Sequence, residues 1–159
     1  KSKYQGEKYL KELDLDTAVV RTSWLYSSHS PNFVLTMLRL AEEKTEIKVV
    51  WDQVGSPTWT KDLAEALNQM VLQKEKIIGY EVYHYSNEGL ASWYDLAYSA
   101  INPKANASVK VFPILSSQYP TPAERPNYSV LSNEKIKNKF NLTIPNWGES
   151  LSNCLEEII

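Results

Sequence analysis

Three polar stretches of this chain carry side chains that could bind a ligand. They read Arg-Thr-Ser-Trp-Leu-Tyr at 21–26, Asp-Gln-Val-Gly-Ser-Pro-Thr at 52–58 and Tyr-Pro-Thr-Pro-Ala-Glu-Arg-Pro at 119–126. Guanidinium groups match phosphate geometry, and amphipathic aromatic rings suit polar ligands. Each stretch alone could be a plain connector. The three together are typical of a site for a polar ligand that carries rings and phosphates.

Several other kinds of site are excluded by the residue pattern. His29, His84 and Cys154 are far apart, so no pair has the spacing of metal ligands, and we predict no metal site. The sequence contains no Gly-x-Ser-x-Gly elbow and no Walker loop. It also lacks Gly-x-Gly-x-x-Gly, because its five glycines are widely separated. This chain alone is therefore not expected to bind a dinucleotide in the usual way.

Length and charge limit the class of protein. The 159 residues correspond to one domain, and the 17 basic and 19 acidic side chains nearly cancel. Without a basic stripe, nucleic-acid binding is not expected. The apolar runs are too short for a membrane span. A single cysteine allows no internal disulfide, which favours a reducing, cytoplasmic compartment.

Strand and helix patterns alternate along the chain and place the polar stretches. Residues 17–21, 47–51, 81–85 and 109–114 are predicted strands, the first of them buried on both faces as in a parallel sheet. Helices are predicted between them, including one from Pro31 that Ser30 would cap. Such alternation predicts an α/β fold, in which ligands bind in loops at the carboxyl ends of the strands.

The same stretches, with their order and spacing, also carry a family resemblance. Besides residues 21–26, 52–58 and 119–126, the matching segments are 2–7, 32–40, 62–64, 92–94 and 145–147. Together they resemble the dTDP-4-dehydrorhamnose reductase family of extended short-chain dehydrogenases/reductases. The resemblance covers essentially the whole chain, and its Gly-Ser-Pro-Thr and Tyr-Pro-Thr-Pro-Ala-x-Arg-Pro stretches are its most specific parts.

The resemblance implies a fold and a reaction. The fold is the carboxyl-terminal part of a Rossmann-type protein with its small substrate-binding subdomain. Residues 1–159 would form the sugar-nucleotide-binding portion, with the end of the catalytic helix and the last Rossmann strands, while the amino-terminal cofactor-binding portion would lie outside this chain. Family members reduce dTDP-4-dehydro-L-rhamnose to dTDP-L-rhamnose with NADPH or NADH. The fragment alone is therefore expected to be inactive.

The resemblance also implies roles for individual residues. Lys3 would be the lysine of a Tyr-x-x-x-Lys pair, acting in catalysis and on the cofactor, with the tyrosine two residues before Lys1. Trp24 would contact the hexose ring, and Thr22 and Ser23 would approach the nicotinamide or the sugar. Partners for the nucleotide or diphosphate would be Asn32, Gln53, Thr58 and Arg125.

Alternatives to this reductase remain open at the level of sequence. The chain could belong to a non-catalytic relative, such as a regulatory subunit of methionine adenosyltransferase, or to a reductase of another dTDP-deoxysugar. A homodimer of the full-length protein is also compatible with the resemblance. The residues upstream of Lys1 would decide between catalytic and regulatory roles.

Overall fold

The computed structural model describes residues 2–102, 109–123 and 125–158, and six α-helices and eight strands lie in these ranges, with two short 3-10 helices at Lys74–Lys76 and Ser116–Gln118. The helices are α1 (Ser2–Glu12), α2 (Phe33–Glu43), α3 (Thr60–Leu72), α4 (Trp93–Ile101), α5 (Glu134–Phe140) and α6 (Trp147–Ile158). The strands are β1 (Thr17–Thr22), β2 (Leu25–Tyr26), β3 (Glu46–Val50), β4 (Val54–Gly55), β5 (Thr58–Trp59), β6 (Tyr80–Tyr85), β7 (Ala91–Ser92) and β8 (Lys110–Ile114).

The longer strands form two parallel pairs. β1 pairs with β6 from Thr17 opposite Tyr80 to Thr22 opposite Tyr85. β3 pairs with β8 from Glu46 opposite Lys110. Parallel neighbours need crossover connections, which the intervening helices supply. The α/β architecture predicted from alternating strands and helices is confirmed.

The shorter strands were not predicted. β2 pairs with β5 in parallel, and β4 pairs with β7 in antiparallel orientation. A two-residue strand is too short to show an alternating pattern, so its pairing is decided by tertiary contacts. The β2–β5 pair joins the first polar stretch to the second, and the β4–β7 pair joins the second to the residues just before α4.

The predicted start of α2 is wrong. Ser30 adopts a left-handed conformation (φ 64°) and does not cap the helix. The cap is Asn32, whose side-chain oxygen accepts a hydrogen bond from the Leu35 N–H at 3.2 Å. Asparagine competes well with serine at this position, and here it places the first helical residue at Phe33.

β1 is half-buried rather than buried on both faces. Among the described residues it pairs with β6, while α1, which contacts it, has no buried residue of its own. Part of the apolar surface of β1 is therefore left uncovered by the described part of the chain.

Three apolar clusters hold the fold together. The first joins α2, α4 and α6 around Tyr26 and Trp59, the second packs α3 and α5 on β6, and the third packs α2 and α4 on β3. Since α2 and α4 take part in two clusters, they are the central helices. In the ranges that the structure describes, no helix has both the length and the apolarity to cross a membrane.

Candidate functional site

A six-residue segment, Val54–Trp59, joins the polar stretches predicted to form a site. Through β4 it pairs with β7, and through β5 it pairs with β2. The Val54 N–H donates to the Asn127 carbonyl at 2.8 Å, which connects it to the chain that follows the third stretch. We call residues 54–59 the connecting segment. It brings stretches 21–26 and 52–58 together and forms a hydrogen bond to the residue that follows the third.

Trp24 is held tightly beside the connecting segment. Its backbone is left-handed (φ 51°), a conformation that costs a non-glycine residue about 1 kcal/mol or more. Its carbonyl accepts a hydrogen bond from the Thr58 N–H at 3.1 Å. Its indole stacks on that of Trp93, with ring centroids 3.6 Å apart and planes inclined by 8°. The structure thus fixes both the backbone and the ring of Trp24.

The hydroxyl side chains predicted for the site differ in their surroundings. Within the described ranges, the buried Oγ1 atoms of Thr22 and Thr58 have no hydrogen-bond partner. Ser23 Oγ donates to the Ser56 carbonyl at a long 3.5 Å. Thr58 has no exposed surface, so its clearest contribution is the backbone N–H that fixes Trp24. Thr22 ends β1 and is half-buried as a residue, but its hydroxyl oxygen itself is buried.

The side chain of Asn32 is engaged in hydrogen bonds within the protein. In addition to capping α2, its side-chain nitrogen donates to the carbonyls of Ser27 and Ser30, at 2.8 and 3.0 Å. The amide therefore shapes the 27–32 loop, and the structure gives it no free donor for a ligand.

Gln53 and Arg125 share a cavity of about 720 Å³, which is within the usual range for small-molecule sites. The cavity lies between α2 and β3, and we call it the α2–β3 cavity. Trp93 lines it as well, so one residue touches both this cavity and Trp24. Its main aromatic and aliphatic lining comes from Phe33, Met37, Leu40, Ile47, Val49, Val50, Ile114 and Tyr119.

Lys3 is exposed on α1 and does not line the α2–β3 cavity. One turn further along the same face, Glu7 accepts two hydrogen bonds from the Arg21 guanidinium, at 2.6 and 3.0 Å. The hydrogen bonds and the charge of Arg21 hold the pKa of Glu7 below its usual range. This pair ties the helix that carries Lys3 to the end of β1, next to Thr22.

Metal ligation finds no support in the described ranges, where no group of three or more His, Cys, Asp or Glu side chains could hold an ion. Cys154 is fully buried in the first cluster. Burial, with smaller contributions from the charges of Glu157 and Asp62, raises the pKa of its thiol to about 11. A thiol with so high a pKa is a packing group rather than a nucleophile.

The comparison with protein families decides which group this chain is part of. A family model described as the RmlD substrate binding domain matches residues 1–159. The chain belongs to the RmlD substrate-binding domain family. The family predicted from the sequence is confirmed.

Relatives of this RmlD substrate-binding domain include a spore coat polysaccharide biosynthesis protein, SpsK, from Bacillus subtilis. It is 40% identical over 157 residues, which cover 99% of this chain and 53% of the relative. A dTDP-4-dehydrorhamnose reductase from Burkholderia thailandensis is 35% identical over 170 residues, covering 99% of this chain and 57% of that protein. The chain thus spans about half the length of the curated relatives it matches.

Solved structures show the same fold. The crystal structure of dTDP-4-dehydrorhamnose reductase from Bacillus anthracis in complex with NADP matches with a TM-score of 0.89 and 39% identity. The match covers 98% of this chain and 54% of that one. The RmlD substrate-binding domain described here therefore has the α/β fold of the carboxyl-terminal portion of such reductases.

The RmlD substrate-binding domain also contains a buried polar network that sequence reasoning did not identify. The fully buried Asn87 donates to Asp62 and to the Ser150 hydroxyl at 2.6 and 2.9 Å, and its side-chain oxygen accepts from the Trp59 N–H at 2.8 Å. The network fixes the end of the connecting segment. In the sequence, only the matching segment 62–64, which contains Asp62, pointed to this network. Asn87 and Ser150 lie far from that segment along the chain, so no local pattern relates them to Asp62.

Proposed function

We propose that residues 1–159 form the sugar-nucleotide-binding portion of a reductase that converts dTDP-4-dehydro-L-rhamnose to dTDP-L-rhamnose with NADPH or NADH. The observation that carries this proposal is the match of the RmlD substrate binding domain model to every residue of the chain. Relatives named as dTDP-4-dehydrorhamnose reductases support it, and so does the NADP complex of the Bacillus anthracis protein. The portion includes the end of the catalytic helix and the last Rossmann strands.

The cavity and its polar residues fit a nucleotide diphosphate. Aromatic and aliphatic side chains of the α2–β3 cavity suit a flat base, and the Gln53 amide can bond to its polar edge. The Arg125 guanidinium can form paired hydrogen bonds with phosphate oxygens. Asn32 serves this subsite indirectly by capping α2, whose first residue, Phe33, lines the cavity.

The sugar fits beside Trp24. A stacked indole offers an apolar surface to a hexose, and the unpartnered, buried Thr22 hydroxyl can bond to a ligand group near the end of β1. Ser23 has a single long hydrogen bond, which it can exchange for one to a ligand. Thr58 acts through its N–H on Trp24.

Lys3 fits a catalytic and cofactor-positioning role. When bound, the nicotinamide cofactor would supply the hydride, and the former ketone oxygen would carry negative charge until a proton arrives. The Lys3 ammonium stabilises negative charge on a proton donor one turn earlier on the same helix face. The Glu7–Arg21 pair keeps this face against the end of β1. Since this chain carries no Gly-x-Gly-x-x-Gly, its residues fit the substrate better than the dinucleotide.

The test is an assay of the full-length protein, in which NADPH oxidation is followed with dTDP-4-dehydro-L-rhamnose. We expect turnover, and replacing Arg125 by Met should raise the KM for the sugar nucleotide about tenfold or more with little change in kcat, because ground-state phosphate contacts are lost. Arg39→Met on the exposed face of α2 is the matched control and should leave both constants unchanged. Absence of turnover in the wild-type protein would refute the proposal, as would exclusive turnover of another dTDP-deoxysugar.

A further inference from the structure

Gly55 and Trp93 both lie against the indole of Trp24. A Cβ atom added at Gly55 would lie 2.7 Å from Cε2 of Trp24 and 2.9 Å from both Cζ2 and Nε1. Real Cβ atoms essentially never come so close to another heavy atom, so the indole occupies the space that any other residue at position 55 would need. Trp93 stacks on the ring with centroids 3.6 Å apart.

The backbone fixes both neighbours relative to each other. Gly55 lies opposite Ala91 in the β4–β7 pair, two residues before Trp93. Ser92 caps α4 through a reciprocal capping box with Asp95, so Trp93, the first residue of α4, begins from a defined position. In the same connecting segment, the Thr58 N–H donates a hydrogen bond to the Trp24 carbonyl. The stacking on Trp93, the close approach of Gly55 and the hydrogen bond to the Trp24 carbonyl together define one indole orientation.

We propose that Gly55 and Trp93 are positioning residues that hold Trp24 in the orientation in which it receives the sugar. The expected effect on catalysis rests on the proposed function. The claim that Gly55 and Trp93 orient the indole rests on the contacts alone. Gly55 permits the close approach of the indole, and Trp93 fixes its plane. Because Trp93 also lines the α2–β3 cavity, it sets the indole in a fixed relation to the nucleotide subsite.

The structural arm of the test uses circular dichroism and thermal unfolding of the full-length protein. Two closely stacked indoles give an exciton couplet where their transition dipoles are skewed within the ring planes, and Trp24→Leu and Trp93→Leu, which each remove one ring, identify it by its disappearance. We expect Gly55→Ala to abolish that couplet and Gly148→Ala to retain it, since an added Cβ at position 148 meets its nearest atom at 3.4 Å. Retention of the wild-type couplet by Gly55→Ala would overturn the proposal.

A double-mutant cycle keeps the proposal testable if Gly55→Ala is poorly folded. The Tm loss caused by Gly55→Ala should be much smaller in a Trp24→Leu background, because the smaller side chain leaves room for the methyl group. Equal losses in both backgrounds would show that Gly55 does not act on Trp24, and would refute the inference.

The kinetic arm separates this inference from the proposed function. We expect Gly55→Ala to lower kcat/KM for the sugar nucleotide about a hundredfold, since small misplacements at a reacting centre have effects of that size, with the KM for NADPH unchanged. A lost couplet with unchanged kcat/KM would refute the positioning role. If the wild-type protein reduces no dTDP-sugar, the proposed function fails, and the couplet and the cycle alone then decide whether Gly55 and Trp93 orient the indole.

Discussion

Helix α1 and the connecting segment both carry residues of the proposed site, yet the fold holds them very differently. None of the α1 residues is buried in the described part of the chain, and Tyr4 and Tyr9 are 58% and 60% exposed. Its firm link to the rest is the ion pair of Glu7 with Arg21. In the connecting segment, by contrast, every residue from 55 to 59 is buried.

The difference shows which parts of the site this chain positions by itself. Trp24 depends on the connecting segment and therefore on the buried core. Lys3 depends on a helix whose apolar side chains, such as Tyr4 and Leu10, are not covered by the described residues. The described residues therefore bury the segment that positions Trp24 and leave the helix that carries Lys3 exposed.

The largest contrast is expected from removing one aromatic ring in each region. Trp59→Ala should destabilise the protein by about 3–5 kcal/mol, because a ring that is 5% exposed leaves a cavity in the first cluster. Tyr4→Ala on α1 should change stability by less than about 0.5 kcal/mol. Denaturant unfolding of both variants measures the two effects. Similar losses would mean that α1 is packed as firmly as the connecting segment.

A smaller effect is expected from the polar network that supports the connecting segment. Asn87→Leu should cost about 3 kcal/mol, because it leaves the Trp59 N–H, Ser150 and Asp62 without their buried partner. Asn153→Ala, an exposed position on α6, is the matched control and should be nearly neutral. If the two variants unfold at the same denaturant concentration, the network does not stabilise the fold.

The smallest effect concerns the ion pair that holds α1. Because Arg21 lowers the pKa of Glu7 in the folded state, the pair stabilises folding above the ordinary pKa of a glutamate, and this contribution is lost as the pH falls through the lowered value. Glu7→Gln should therefore reduce protection of the α1 amides from hydrogen exchange at neutral pH. In acid, where Glu7 is protonated, variant and wild type should converge. Equal protection at neutral pH would exclude the pair as the anchor of α1.

The longer elements could be predicted because their periodicity is local. Residues 17–21 and 81–85 read as strands, and they pair in parallel. The cap of α2 could not be predicted with equal success, since Ser30 and Asn32 are both good caps and the choice depends on the turn that Ser30 adopts. The pairing of β4 with β7 has no local signal at all.

The candidate site was predicted as three stretches, and the structure gives them unequal roles. Gln53 and Arg125 line one cavity, as a shared ligand role requires. Asn32 and Thr58 instead fix the protein around the cavity and around Trp24. Sequence could not separate these cases, because a polar side chain that binds a ligand and one that caps a helix have the same residue type.

The sequence by itself determined the alternation of strands and helices, the near-neutral charge, the lack of a dinucleotide fingerprint and the family. These properties follow from residue type and spacing along the chain. Only the tertiary structure decided that Gly55 lies against the indole of Trp24, that Trp93 stacks on it, and that Asn87 joins α3 to α6. Such contacts join residues that are 25 or more positions apart. They depend on interatomic distances in the packed structure, which no pattern along the sequence contains.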